Sequence, residues 1–462
     1  MPRAALMLSL SLLAAAVLFA SPAAADVFQV DPGGSDGADG SSGTPWATLQ
    51  HAADSVGAGD TVMVRAGTYA GFELTTSGTS SARIELLGGD GVVIDGTASG
   101  NRDGINLEGA SYVTIAGFTV EEAPRAGIRA VTSRGVIIRN NVSRRNGVFG
   151  ILTGFAYDLT IADNVTSDNV EQHGIYVSNS DEPNDNVVVR GNETFGNGRS
   201  GIQFNGDCSI SAGIIDGSLI EGNYVHDNDV KGLSLISMQD SVVQNNVIVG
   251  NGLVSGAGGI HLTDEPGCGL PSNDNVVVNN TIIEPRIAGI RITDDAMGNV
   301  IFNNVIVSDR GAVDEVGGNA IDAESNLIQS NDSGLFRDAA GMDYRPAVGG
   351  PLVDTGRADF MGQSAPPSDY DGVSRPTGAG FDIGAYEHSD APRPDAGSAT
   401  DGGTRTDGGI VAGDSGRSTG DAGTAAADDG GCGCRTAGRG APRPVVLLLL
   451  FGAVAVARRR RG

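Results

Sequence analysis

The chain has 462 residues, a formal charge of −26, 71 glycines and 5% aromatic residues. Such a length allows a large core, while the acidic balance argues against nucleic acid as a partner, because phosphate binding needs a basic surface. Arginine supplies 29 of the 30 basic residues, which leaves Lys231 as the only lysine.

In chain order, "MPRAALMLSLSLLAAAVLFASPAAA" pairs Arg3 with an apolar run and small residues ending at Ala25. This is the pattern of a secretory signal peptide over residues 1–25, cleaved after Ala25, so an exported protein is expected. Next, "TPWATLQHAADSVGAGDTVMVRAGTY" reads as a cap. Thr44 is the predicted N-cap, with Pro45 in the first turn, an amphipathic helix carrying Trp46, Leu49 and Ala53, and a strand from Thr61 to Arg65.

From Gly104 a glycine followed by Ile or Leu recurs at Gly127, Gly150, Gly174, Gly201, Gly232, Gly259 and Gly289, at spacings of 23 to 31 residues. Between these glycines run two asparagine columns. Asn141, Asn164, Asn192, Asn223, Asn246, Asn280 and Asn304 form one, and Asn146, Asn169, Asn197, Asn228 and Asn251 the other. A period of this length predicts an all-β solenoid, a parallel β-helix, whose coils bury their apolar faces against the coils above and below. Asparagine suits the corners because its amide bonds the like residue one coil away and tolerates left-handed backbone. Alternation then places the first and third residues after each glycine inside, as with Ile175 and Val177, and the second and fourth outside.

Stacking the coils maps one exposed face. Two residues after the glycines come Asn106, Arg129, Leu152, Tyr176, Gln203, Ser234, His261 and Arg291. Four after come Glu108, Val131, Gly154, Ser178, Asn205, Ile236, Thr263 and Thr293, and just before come Asp103, Ala126, Phe149, His173, Ser200, Lys231, Gly258 and Ala288. Polar and titratable groups gather in the middle coils. His173 is the best base by its ordinary pKa. In "GIHLTDE" and "GIRITDD", Asp264 stacks beside Asp294 and Glu265 beside Asp295. Four carboxylates one strand spacing apart repel, and calcium would relieve that. His226 reads as a corner residue and His51 as part of the capping helix. Cys208 and Cys268 are the two cysteines of the fold; in an exported protein they either pair or stay free, and spacing does not decide which.

The capping stretch, with "VDPGGSDGADGSSGTPWATLQ", resembles the start of secreted right-handed parallel β-helix proteins of the pectate lyase-like group. The stretches "GGPLVDTGRADF" and "DYDGVSRPTGAGFDIGAYEH" resemble the closing segment of surface β-helix proteins of the choice-of-anchor Q type. The resemblance implies a right-handed β-helix domain over 26–388 that binds an extended acidic polysaccharide along the mapped face. It also implies removal of the proton at C5 beside a uronic carboxylate, by a lyase or an epimerase. His173 would then be the base, Tyr176 a proton donor, and Lys231 or Arg291 a partner for the carboxylate, with Gln203, Asn205 and His261 binding substrate. The paired-aspartate calcium motif of family 9 pectate lyases is not matched. The alternative is a non-catalytic glycan-binding or adhesin-type surface module, and a monomer is expected in either case.

Residues 389–431 are built almost wholly of Asp, Gly, Ala, Thr, Ser and Arg, the composition of a disordered spacer. Residues 432–462 join Cys432 and Cys434 to a short apolar run and the cluster Arg458 to Arg461. Thirteen apolar residues, Val445 to Ala457, are short of the ~20 that a stable span needs. The segment resembles the MYXO-CTERM sorting tail of myxobacterial surface proteins, which implies cleavage near Cys432 or Cys434 by a sorting protease and display at the cell surface; a plain membrane anchor is the alternative.

Overall fold

A computed structural model describes residues 25–97, 100–181, 184–256 and 258–389. The signal peptide, the spacer and the tail with Cys432 and Cys434 lie outside the described residues, and Ala25 is exposed where they begin.

The chain winds as a right-handed parallel β-helix with three sheets of 10, 12 and 11 strands. Each central coil contributes one strand to each. Phe149–Gly154 lies in the 10-stranded sheet, Thr160–Ala162 in the 12-stranded sheet and Val165–Ser167 in the 11-stranded sheet, and Ile175–Ser178 then returns to the first. We call these the marker, second and third sheets. The marker glycines align as expected: Asn106, Arg129, Leu152, Tyr176, Gln203, Ser234, His261 and Arg291 are consecutive strand partners. Ile175, Val177, Ile202, Phe204, Leu233 and Leu235 fill a single continuous core.

Why glycine marks each coil follows from packing. A Cβ on Gly174 would stand 2.6 Å from Thr166 Oγ1 and 2.8 Å from both Asn197 Nδ2 and the Gly201 carbonyl. The glycine column therefore exists because the coil above and the second asparagine ladder press against it. Gly174→Ala is expected to destabilise the protein by about 1–3 kcal/mol through overpacking, read from a denaturant midpoint; an unchanged midpoint would show that the corner can yield.

Both asparagine columns are ladders. Asn223 Nδ2 donates to Asn246 Oδ1 at 2.9 Å and to the Val189 carbonyl at 2.9 Å, and Asn197 Nδ2 donates to Asn228 Oδ1 at 2.9 Å. Left-handed backbone, expected of these asparagines, belongs instead to the residue before each, such as Asn140, Asp163, Gly191 and Gly222. That residue makes the turn, and the ladder amide satisfies the buried polar groups that the turn leaves behind. Asn326 extends the first ladder, and Asn275, Asn299 and Asn319 form a third between the marker and second sheets.

Two expectations change at the ends. The capping helix, α1, is Leu49–Ser55 with Thr48 as N-cap, its side chain accepting from the His51 amide. Thr44 is engaged with Asp39 and Ser41, and Asp36 receives the Ala47 and Thr48 amides. Trp46 thus lies ahead of the helix, stacked on Phe28 with ring centroids 4.5 Å apart. The closing segment, for its part, lies along the flank of the solenoid. Leu335, Phe336, Leu352, Ile383 and Tyr386 cover Val247, Ile283, Val305 and Val307 of the third sheet, while Phe360, Ala365 and Phe381 cover Val276, Val278 and Phe302 of the second.

Candidate functional site

The outer face of the marker sheet is polar in its middle coils, yet most of it is buried. His173 is 1% exposed, His261 3%, Lys231 7%, and Gln203, Asn205, Ser234 and Tyr176 are buried as well. Long side chains stacked one strand spacing apart, ~4.8 Å, cover one another.

His173 follows the coil corner beside Ser200, whose backbone N–H donates to Nδ1 at 3.1 Å. Its ring lies 5.3 Å from that of Tyr176, which stacks on Phe149 at 5.1 Å and 6°. Burial, helped by the positive charges of Arg199 and Lys231, pushes the His173 pKa down to about 3. With Nδ1 already accepting a proton, a neutral ring must carry its own on Nε2, so no lone pair remains to take one from substrate. His173 is thus unsuited to the role of base expected from its ordinary pKa, although it does meet Tyr176.

Lys231 lies two coils further on, in register with Gly258, about 10 Å along the sheet at the ordinary strand spacing. Its charge reaches both His173 and His261. His261 Nε2 is 3.0 Å from Thr293 Oγ1. Burial, then Lys231 and Arg291, push the His261 pKa down to about 3 as well. Arg291, next in the row, is paired with Asp314 at 3.2 Å, so it already has an acid partner.

Three of the four acids of the expected calcium cluster, Asp264, Glu265 and Asp294, act on one another. Asp294 accepts from Thr263 and from Thr293, and these hydrogen bonds hold its carboxyl below the usual carboxylate range. Glu265 stands with Asn205; burial and the nearby Asp207 and Asp264 charges raise its pKa. Burial, with Asp294 adding repulsion, raises that of Asp264. Asp295 turns away in left-handed backbone. Among the described residues no three His, Cys, Asp or Glu side chains are placed to hold a metal ion.

A disulfide joins Cys208 to Cys268, with Cα atoms 5.7 Å apart. It ties the loop leaving Ile202–Asn205 to the loop leaving Gly258–Thr263 and so spans the intervening Lys231 coil. The polar row ends against this strap. Buried polar atoms of this face with no hydrogen-bond partner among the described residues include His173 Nε2, Asn205 Oδ1, Ser234 Oγ, His261 Nδ1, Asp264 Oδ1 and Glu265 Oε2. An unpaired buried polar group costs about 1–3 kcal/mol, so such a concentration marks a surface built for polar contact. A separate open cleft of about 600 Å³ lies at the corner between the third and marker sheets, between Arg286, Arg310, Glu284 and Asp332.

Comparison with known proteins adds the fold family. Residues 28–255 match the family described as "Pel9A-like, right handed beta helix region", and residues 182–334 match "Periplasmic copper-binding protein (NosD)". The crystal structure of pectate lyase Pel9A superposes with a TM-score of 0.59 over 79% of this chain and 96% of that one, at 15% identity. This is a pectate lyase-like β-helix fold. The β-helix is also 26% identical over 360 residues to the uncharacterized protein YwoF of Bacillus subtilis, covering 67% of this chain and 70% of that protein. A stretch of 86 residues is 42% identical to pectate lyase PEL9 of Emericella nidulans, covering 18% of this chain and 21% of that enzyme.

Sequence stacking brought His173, Tyr176, Gln203, Asn205, Lys231, His261 and Arg291 onto one face, and the structure places them there. It did not single out Phe149, Ser234, Thr263 or Thr293. The two threonines had a legible signal, as the fourth residue after Gly259 and Gly289 in consecutive coils.

Proposed function

We propose that the protein is exported, displayed at the cell surface, and acts on a uronic acid-containing polysaccharide laid along the marker sheet, by abstraction of the proton at C5. The observation that carries this reading is Lys231. The only lysine of a chain of net charge −26 is buried on the outer face of one sheet, among unpaired polar atoms and between two imidazoles. Its amine is the group of this face suited to take a proton from C5. Arg199 and Arg291 add positive charge that an anionic chain would meet locally despite the acidic whole. The match to the Pel9A-like region and the short, closer identity to a pectate lyase support the substrate class. The sorting tail would put this face outside the cell.

The second reading, a glycan-binding module, is favoured by the depth of His173. The full-length protein incubated with pectate, alginate and glycosaminoglycans, with and without calcium, separates the two. Unsaturated product seen by absorbance, or solvent deuterium appearing at C5, is the expected result. Silence on every polymer, joined to retention on a glycan array, would leave the binding module standing and the enzyme abandoned.

A further inference from the structure

The open cleft at the corner between the third and marker sheets brings charges of both signs to one space and leaves most of them unpaired. On the marker face itself arginines sit on acids: Arg125 pairs with Asp103, Arg129 with Glu108 and Arg291 with Asp314. In the cleft, Arg286, Glu284 and Asp332 are exposed, and none of the three forms an ion pair among the described residues. Arg310, also exposed, reaches only its neighbour Asp309, at 3.7 Å. Backbone holds the two guanidinium groups instead. Arg286 Nη1 donates to the Gly252 and Leu253 carbonyls at 3.3 and 3.5 Å, and Arg310 Nη1 to the Arg286 carbonyl at 3.3 Å. The two forks therefore stand in adjacent coils, each anchored by one nitrogen, and Nη2 of each meets no protein acceptor among the described residues.

We infer that this cleft is a second binding site, for a uronic sugar of the polysaccharide, with Arg286 and Arg310 on its carboxylate and Glu284 and Asp332 accepting from its hydroxyl groups. Like charges one strand spacing apart repel, and a carboxylate shared by the two guanidinium forks relieves that. Glu284 and Asp332 would oppose a bare anion. Hydroxyl groups carried on the same ring give these acids donors, so a sugar acid satisfies both walls. The cleft holds about 600 Å³, within the ~300–1,000 Å³ of small-molecule sites. Its place extends the site already described. Lys231 is in register with Gly258 and that with Ala288, so Arg286 stands two coils beyond the lysine and Arg310 three, roughly 10 and 14 Å along the solenoid at the ordinary strand spacing. A chain laid along the marker sheet at Lys231 would reach the cleft within a few sugar units. The inference rests on the proposed uronic substrate, but it concerns binding alone and needs no proton transfer.

The test titrates the full chain by calorimetry with octagalacturonate and with its methyl ester, which has the same length and hydroxyl groups but no charge. Arg286→Ala with Arg310→Ala should weaken binding of the acid about ten- to a hundred-fold, the range for lost hydrogen bonds to a charged group, and change that of the ester far less. Arg286→Lys with Arg310→Lys keeps the charge without the fork and should recover part of the loss. A readout that needs no variant accompanies these. Octagalacturonate should slow modification of Arg286 and Arg310 by phenylglyoxal in the wild type, followed by peptide mass spectrometry. Arginine-dependent binding without turnover of any polymer would end the lyase reading and leave the cleft standing. Unchanged affinity for the acid in the alanine pair, an equal loss for acid and ester, or no protection of the two arginines would overturn the inference.

Discussion

Lys231→Gln is expected to lower turnover of the uronic polymer about a hundred- to ten-thousand-fold, the range supplied by a positioned base. Substrate affinity should change far less, because a base acts on the proton in flight and the rest of the face is left as it was. A fall in kcat with KM nearly constant is the signature of a group that acts in the transition state and adds little to ground-state binding. Lys231→Arg separates two roles. Arginine keeps the charge that would meet a carboxylate but cannot give up its proton, so a base is lost in both variants while a mere carboxylate partner survives in the second. Glutamine is shorter than lysine and keeps a polar end at this buried site, and melting curves separate a loss of fold from a loss of base. Steady-state rates on the responsive polymer, with melting curves alongside, check this; Lys231→Gln retaining more than a tenth of the rate would move the base elsewhere.

The scaffold was legible in the sequence because its period is imposed by contact between coils. A Cβ on Gly174 meets the next coil, and each ladder asparagine bonds the next, so glycine and asparagine recur at a phase that yields the strand register directly. The face holding the site followed from the same register. Its chemistry did not, because the state of an imidazole depends on partners one coil away. The Ser200 amide donates to Nδ1 of His173, and Thr293 stands at Nε2 of His261. An ordinary histidine pKa suggested a base, and burial on a stacked face removed that role. Where the closing segment packs had its own signal in the last coils. The runs "NVVVNNTII" and "NVIFNNVIV" are apolar at successive positions, whereas earlier coils alternate, as in Thr119–Glu121. Continuous apolar strands are buried on both faces, so these coils signalled a covering layer on the flank.

Arg375→Ala is expected to destabilise the native state by about 3–5 kcal/mol, the usual loss when one partner of a buried ion pair is left alone. Arg375 and Glu387 are both fully buried, with Nη1 of the arginine 2.8 Å from Oε1 of the glutamate. The pair is densely bonded. Arg375 Nη2 donates to Asn245 Oδ1 at 3.1 Å and to the Gly384 carbonyl at 2.9 Å, while Glu387 accepts the Thr377 and Asp382 amides at 2.9 Å each. Burial lowers the pKa of Arg375 and raises that of Glu387, so each charge depends on the other. Removing either strands the other charge, so the double variant Arg375→Met with Glu387→Met should lose less than either single alanine variant. The loss should also be local at first. Asn245 sits at the corner of the coil whose Val247 lies beneath the closing segment, and that coil leads into the strand Gly258–Thr263 carrying His261. Hydrogen exchange in Arg375→Ala should rise at Val247, Ile283 and Val305 before it rises near the capping helix, because the coils are coupled only to their neighbours. Uniform acceleration along the solenoid would instead show that the closing segment supports the fold as a whole.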